Sequence, residues 1–288
     1  QLTVHNGNIL CKEIRRFEGH EAIIQSARFN SRNDKIVTSS NDGTVRVWDV
    51  KSGRLIQTLI DPSNKKIYYS DACFSPDGEN VYASAHDGTI KKWKWETGEL
   101  NKVYYGHTSR AYSISCTSDG TTLVSSGEKN IIIWNSETGD IIKKLNLHST
   151  TIYGVDISTN DSLIVSGSPD GRVIIWKDLQ AIPQEKVVLQ FTHGEVMKVK
   201  YSIDGNRMAC GFEDGTVSIL DVNNNTEIKT LCGHMDRVTS IDYAPDGNSI
   251  ASASIDGSVI IWDNNAGKIL HRISGHLSMV TSVCYSPD

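Results

Sequence analysis

Gly233-His234-Met235-Asp236-Arg237-Val238-Thr239-Ser240-Ile241-Asp242-Tyr243-Ala244-Pro245-Asp246-Gly247, followed by Ile250 to Ser254, Asp256-Gly257 and Ser258-Val259-Ile260-Ile261-Trp262-Asp263, decides the architecture. Three short runs of β-forming residues are punctuated by two Asp-Gly pairs, which favour tight turns between antiparallel strands. The stretch opens on Gly-His and closes on Trp-Asp, and a further run, Lys268 to Ile273, follows a polar turn. Together they read as one four-stranded antiparallel unit.

The unit recurs. Opening histidines stand at His20, His107, His148, His193, His234 and His276. They are spaced by roughly 42 residues, with a double step between the first two. The copy inside that double step lacks a histidine but carries Cys73-Phe74-Ser75-Pro76-Asp77-Gly78, which matches Asp242 to Gly247. The closing tryptophan recurs as Trp48, Trp93, Trp134, Trp176 and Trp262, with Leu220 in its place in the fifth copy. Six residues before each stands a turn acid: Asp42, Asp87, Glu128, Asp170, Asp256, and Asp214 in the fifth copy. A period of this length with four strands per period indicates the blades of a propeller, not a helical solenoid. Openings near 19, 61, 106, 147, 192, 233 and 275 define seven copies without a long linker, so residues 1–288 read as a single domain.

Elementary physics favours a ring. An isolated four-stranded sheet cannot bury both faces and leaves its edges unpaired. Face-to-face stacking and circular closure remove both problems. Ile131-Ile132-Ile133, Val173-Ile174-Ile175 and Val259-Ile260-Ile261 lack alternation, as strands buried on both faces do. The expected fold is all-β: a seven-bladed propeller of four-stranded antiparallel blades, with the seventh blade shared by the two termini. Lys12 to Phe17 aligns with Lys268 to Ile273 as its outer strand, residues 279–285 supply its inner strand, and Leu2 to Leu10 is placed as its third. That blade is expected to be incomplete, short by about ten residues, one strand and its turn.

Composition narrows the functional classes. Hydrophobic residues make up 38% and charged residues 22%, which suits a soluble, core-forming protein, and no apolar run is long enough for a spanning helix. The first residues lack a signal-peptide pattern, and the absence of an initiator Met suggests a processed or excised segment. A net charge of −5 does not supply the positive field of a nucleic-acid binder. Cys11, Cys73, Cys116, Cys210, Cys232 and Cys284 form no C-x-x-C pair and read as reduced thiols of a cytoplasmic or nuclear protein.

The phased copies resemble the WD-repeat (WD40) family over nearly the whole chain. That resemblance implies a hydrogen-bonded tetrad in each blade: the opening His, a Ser or Thr of the second strand, the turn Asp and the Trp. The matching residues are His20, Thr38, Asp42 and Trp48; His148, Ser166, Asp170 and Trp176; and His234, Ser252, Asp256 and Trp262. Imidazole, carboxylate, hydroxyl and indole N–H have complementary donor and acceptor capacities, and a satisfied buried network fixes one geometry. Three blades depart. Blade two has Ala83 and no His. Blade three has Val124 at the hydroxyl position and Glu128-Lys129 for Asp-Gly. Blade five has Cys210 and Leu220. These blades are expected to rely on packing. A Ser-His-Asp catalytic reading fails because the constellation repeats around a ring and includes a Trp. No metal or cofactor is expected, since the histidines lie a full period apart with no close second ligand.

The resemblance also places the Gly-His loops and the turn acids at one end of the ring, the top. Residues flanking the first apolar position of the inner strand face that end: Tyr68, Arg110, Glu195, Arg237 and Met279 before it, Tyr112, Tyr153 and Met197 after it. Tyr, Arg and Met are the types enriched at interfaces. By family analogy the expected function is a non-catalytic protein–protein interaction scaffold, docking peptides or domains of a larger complex mainly on the top face. Its partners are expected to be proteins or peptides, with no membrane and no obligate small molecule. The alternative is a reader of a modified or basic peptide at the channel mouth through Tyr112, Tyr153 and Glu195. Behind it stand a propeller enzyme and RNA binding, the latter prompted by Lys91-Lys92-Trp93-Lys94-Trp95. The plainer reading of that run is an extra Trp packed under lysine stems.

Overall fold

The computed structural model describes residues 3–5, 8–10, 13–63, 66–146, 148–177 and 186–287. Strands β1 (Thr3–His5) and β2 (Asn8–Leu10) pair only with each other. Six four-stranded antiparallel sheets follow among the described residues, each pairing its strands in chain order. Blade one holds β3 (Ile24–Phe29), β4 (Lys35–Ser40), β5 (Val45–Asp49) and β6 (Leu55–Leu59). Blade two holds β7 (Tyr69–Phe74), β8 (Asn80–Ala85), β9 (Thr89–Lys94) and β10 (Glu99–Tyr105). Blade three holds β11 (Ser113–Cys116), β12 (Thr122–Ser126), β13 (Asn130–Asn135) and β14 (Ile141–Asn146). Blade four holds β15 (Gly154–Ile157), β16 (Leu163–Gly167), β17 (Arg172–Lys177) and β18 (Lys186–Gln190). Blade five holds β19 (Val196–Tyr201), β20 (Arg207–Phe212), β21 (Val217–Asp221) and β22 (Thr226–Leu231). Blade six holds β23 (Val238–Tyr243), β24 (Ser249–Ser254), β25 (Ser258–Asp263) and β26 (Ile269–Ser274).

The core lies between blades. One cluster joins Val37, Val45, Val47 and Leu59 of blade one to Tyr69, Val81 and Trp93 of blade two. Equivalent clusters join blades two to three, three to four, four to five and five to six. Each central strand is covered on both sides, which is why the β-branched triplets do not alternate. Turn glycines make the close approach possible. Gly88 and Gly215 have φ of 84°, and a Cβ would stand 2.6 Å from the Ser109 carbonyl at Gly88 and 2.8 Å from the His234 carbonyl at Gly215. Only a residue without a side chain fits at such a positive φ against a carbonyl of the next blade.

The propeller has six blades, not the expected seven. The interval between blade six and blade one is filled by an extended segment, residues 279–287, which forms no strand. The Val280 N–H donates to the Ser254 carbonyl at 3.0 Å, the same link that Ala111 makes to Ala85 and Ile152 to Gly127. Thr281 donates to the Ile24 carbonyl at 2.6 Å, and the Ala27 N–H donates to the Ser282 hydroxyl at 3.2 Å. Val280 and Val283 pack with Ala253, Val259, Ile261 and Ile273 of blade six. The expected outer strand is absent: residues 13–17 form no strand, and Lys12 lies outside the described residues. Phe17 packs edge-on against Trp48 at 6.0 Å, so this segment runs against blade one. The expected third strand, Leu2 to Leu10, gives only the β1–β2 hairpin, and Leu2 itself lies outside the described residues. Seven openings are legible in the chain, but the last leads into one extended segment and not into a sheet.

Candidate functional site

Two polar constellations stand out, one inside the blades and one on the axis. In blade one the Trp48 indole N–H donates to Thr38 Oγ1 at 2.8 Å, His20 Nε2 lies 2.7 Å from the same hydroxyl, and His20 Nδ1 lies 2.6 Å from Asp42 Oδ2. Blade six repeats this with Trp262 to Ser252 at 2.7 Å, His234 to Ser252 at 2.7 Å and His234 to Asp256 at 3.1 Å. Blade four is looser: 3.3 Å from Trp176 to Ser166, 2.9 Å from His148 to Ser166 and 3.1 Å from His148 to Asp170. Burial pushes His20, His148 and His234 below the ordinary histidine value, against the pull of their aspartates. With the imidazole neutral, one donor order satisfies every atom. Indole N–H gives to hydroxyl, hydroxyl O–H gives to Nε2, and Nδ1–H gives to carboxylate.

The carboxylate does more than receive the imidazole. Asp42 also accepts the N–H of Glu21 at 3.1 Å and of Thr44 at 2.9 Å, and Asp256 accepts that of Met235 at 2.9 Å. It thereby latches the opening loop to the turn between the second and third strands. Burial alone would raise the Asp42 pKa, but hydrogen bonds from Thr44 and His20 outweigh it and hold the group at about 2.

The second constellation lines a cavity of about 520 Å³ on the ring axis. Bulges in β3, β7, β19 and β23 break the pairing at Ile24/Ser26, Tyr69/Asp71, Val196/Lys198 and Val238/Ser240. A bulge re-aims its side chain, and Gln25, Ser70, Met197 and Thr239 all line the cavity. Tyr112, Tyr153 and Thr281, from the corresponding positions of the other sectors, join them. The Arg110 guanidinium sits 4.7 Å over the Tyr112 ring, and Tyr112 meets Tyr153 edge-on at 5.4 Å. Of the eight candidate docking residues, Arg110, Tyr112, Tyr153, Met197 and Met279 line this cavity. The other three do not. Tyr68 turns its ring edge to His86 at 5.4 Å, Arg237 pairs with Glu213 at 2.8 Å, and Glu195 lies off the lining.

Deeper in the channel the acids hold the ring together. Asp71 accepts from Arg28, from the Ser113 hydroxyl at 3.1 Å and from the Ile114 N–H at 3.2 Å. Asp156 accepts the Tyr201 N–H at 2.9 Å, and Asp242 accepts the Tyr285 N–H at 2.8 Å. Each carboxylate thus binds the backbone of the next sector. Among the described residues no group of three His, Cys, Asp or Glu side chains is arranged to hold a metal ion.

Six consecutive matches to the family described as "WD domain, G-beta repeat" cover residues 11–49, 53–94, 98–135, 139–177, 185–221 and 225–263. The chain belongs to the WD-repeat family. Each match from the second onward takes the outer strand of one blade and the three inner strands of the next, so every WD repeat ties two blades together. The chain is 29% identical over 229 residues to guanine nucleotide-binding protein subunit beta-5b of Danio rerio, covering 77% of this chain and 46% of that protein. It is 28% identical over 220 residues to protein tipD of Dictyostelium discoideum, covering 76% of this chain and 35% of that protein. A shorter match, 53% over 36 residues and 12% of each chain, is to target of rapamycin complex subunit LST8 of Saccharomyces cerevisiae. The aligned region spans less than half the length of each of these relatives.

Against the WD-repeat pattern, blade three holds a residue that the sequence reading missed. The Trp134 N–H donates to Ser125 at 2.8 Å and His107 Nε2 lies 2.7 Å from that hydroxyl, so Ser125, not Val124, is the hydroxyl residue. Asn130 replaces the acid, its Oδ1 2.8 Å from His107 Nδ1, while Glu128 and Lys129 are exposed. Counting back from the Trp misses Ser125 because the turn is one residue shorter. Counting forward from the His finds it at the same spacing as Thr38, Ser166 and Ser252. Burial pushes His107 down to about 4, against the opposing hydrogen bond from Asn130. In blade two the Trp93 N–H has no partner among the described residues. Lys91, only 1% exposed, reaches Asp61 at 3.3 Å and Asp87 at 3.2 Å. Lys92 reaches Glu137 at 2.9 Å, and the Trp95 N–H donates to the Gly78 carbonyl at 2.7 Å. Lys91, Lys92 and Trp95 of the basic-aromatic run are thus committed to internal contacts, while Lys94 is exposed. In blade five His193 reaches Asp214 at 3.3 Å and packs on Phe212 at 5.1 Å. The five described cysteines are free thiols, and burial pushes Cys73 and Cys284 up to about 12.

Proposed function

We propose that this chain is a non-catalytic docking subunit that gathers protein partners on the channel mouth and the surrounding loops. One observation carries the reading. Arg110, Tyr112 and Tyr153 form a continuous cation–aromatic surface at the mouth of the axial cavity, beside Met197 and Met279. Rigid aromatic and Arg side chains around a concavity are the usual anchors of an interface. Met235, in the opening loop of blade six, is 90% exposed and Leu277 is fully exposed, which adds apolar area to the loops. The relatives support the same class, since two of them are named as subunits.

The network histidines, buried between indole and carboxylate, offer no nucleophile, and the channel acids are occupied by backbone donors. The reader of a basic peptide is less well served. The Tyr112 face is already taken by Arg110, so an incoming cation would have to displace it. A reduced environment, cytoplasmic or nuclear, suits the free thiols. The test is affinity purification with mass spectrometry, comparing wild type with Arg110→Glu/Arg237→Glu. Loss of one set of partners from a folded variant supports the reading, and an unchanged set removes it.

A further inference from the structure

In three sectors the third residue of the inner segment ties that sector to the next. Ser26 accepts the Ala72 N–H at 3.1 Å, Asp71 accepts the Ile114 N–H at 3.2 Å, and Ser282 accepts the Ala27 N–H at 3.2 Å. In each case an oxygen from one sector holds the backbone of the next. Blade five places Lys198 at this position, and an ammonium has three donors and no acceptor. It cannot do that work.

The charge balance of the cavity points the same way. Of its cations, Arg28 pairs with Asp71 and Lys200 pairs with Asp156 at 3.4 Å. Asp242, the remaining acid, accepts the neutral Tyr285 N–H, so the lining carries four cations, Arg28, Arg110, Lys198 and Lys200, against three acids, Asp71, Asp156 and Asp242. Lys198 and Arg110 are left, and neither forms an ion pair with any described residue. Burial pulls the Lys198 ammonium below the ordinary lysine value, Asp71 opposes that pull, and Arg28 and Lys200 add to it. A confined cation that makes no ion pair of its own is costly, even with carboxylates elsewhere in the cavity. The strand beside it packs closely on the Lys198 backbone. Gly154 occupies the third position of blade four, and a Cβ there would come within 3.3 Å of Lys198 Cα. Tyr112 and Tyr153 border the same cavity, and their hydroxyls make no hydrogen bond to another described residue.

We propose that the axial cavity is a binding site for an oxyanion, a phosphate or carboxylate group, held by Lys198 and Arg110 with the two tyrosine hydroxyls as further donors. The two cations offer donors only and the two phenols can each donate one O–H, and an oxyanion supplies acceptors and negative charge for them. The cavity volume leaves room for more than a bare ion, so the group can belong to a free small anion or to an acidic residue of a docked peptide. The proposal shares Arg110, Tyr112 and Tyr153 with the docking reading and adds Lys198, and the two are tested apart: anion binding can fail while partners are still captured, and the reverse.

The test titrates the 288-residue protein with inorganic phosphate at ionic strength fixed by potassium chloride, using calorimetry and thermal melting. A second arm uses a blocked Gly-phosphoserine-Gly peptide and its unphosphorylated form. Phosphate is expected to bind saturably and to raise the melting temperature above the chloride control. Lys198→Met and Arg110→Met should each weaken binding at least about tenfold, the scale of a lost charge-assisted pair. The exposed-site control Lys51→Met should not. Without phosphate, Lys198→Met should melt no lower than wild type, because it removes a cation whose burial and like-charged neighbours outweigh the pull of Asp71 and Asp156. If Lys198→Met does not fold, Arg110→Met and Lys198→Gln carry the same comparison. Tighter binding of the phosphopeptide than of phosphate assigns the anion to a docked residue, and equal or weaker binding assigns it to a small molecule. Absence of saturable binding in both arms, or binding unchanged in both variants, overturns the proposal.

Discussion

At the scale of single residues, one hydroxyl decides whether a blade's indole and imidazole are both satisfied. Ser125 accepts from Trp134 and meets His107, so Ser125→Ala leaves two buried polar groups without a partner. The expected cost is about 1–3 kcal/mol. In a chain of this size that is a drop of roughly 2–4 °C in melting temperature per kcal/mol, read by calorimetry. Val124→Ala should differ: it trims a core contact and leaves the network intact, so the chemical shift of the Trp134 indole proton should stay put. Blade two offers the converse. The buried Trp93 N–H has no partner among the described residues, and Ala83 stands where other blades carry the hydroxyl. Ala83→Ser should supply the acceptor and raise stability by about 1 kcal/mol in urea titration. A loss of stability would show that the Trp93 N–H is satisfied some other way.

At the scale of elements, the opening loop is latched to the strand turn through His and Asp, and the latch depends on a neutral imidazole. His107 falls to about 4, and His20, His148 and His234 shift in the same direction, all through burial. The unfolded chain then binds protons before the folded one does. The stabilisation is fully present above the unfolded histidine value of about 6.5 and is lost as pH falls toward the folded values. Asp42 acts lower down, its contribution fading only between its ordinary value and about 2. Melting temperature should therefore drop most steeply between about pH 6.5 and 4, and His107→Gln should shallow that drop. A flat profile across this window would contradict the latch. The turns have their own test: Gly215→Ala sets a Cβ against the His234 carbonyl at positive φ, with an expected cost of about 1–3 kcal/mol. Much at this scale was legible from residue type and spacing, because turn Asp-Gly pairs and β-branched triplets act locally. The Ser125 register was not, since a turn shortened by one residue shifts a count made from the Trp but not one made from the His.

At the scale of the molecule, repetition makes the architecture readable and the closure ambiguous. Seven openings count as seven sectors, yet a blade needs four strands, and only six sectors have them among the described residues. The seventh opening, His276, is exposed and leads into the extended segment that bridges blades six and one. The channel was the least legible part, because its lining comes from bulged residues whose direction a period-two pattern does not give. Closure through that segment makes Val280 critical. Val280→Asp would bury a charge between blades and should destabilise the ring by at least about 3 kcal/mol, measured by urea unfolding. The account's central claim is that one hydrogen-bonded unit recurs at equivalent places around the ring. Hydrogen exchange of the six indole N–H groups, followed by NMR, addresses it most directly. The account predicts that Trp48, Trp134, Trp176 and Trp262 are protected, and that Thr38→Ala, Ser125→Ala, Ser166→Ala and Ser252→Ala each deprotect only the indole of their own blade. Indoles that exchange without regard to those hydroxyls, or all together with any one substitution, would contradict it.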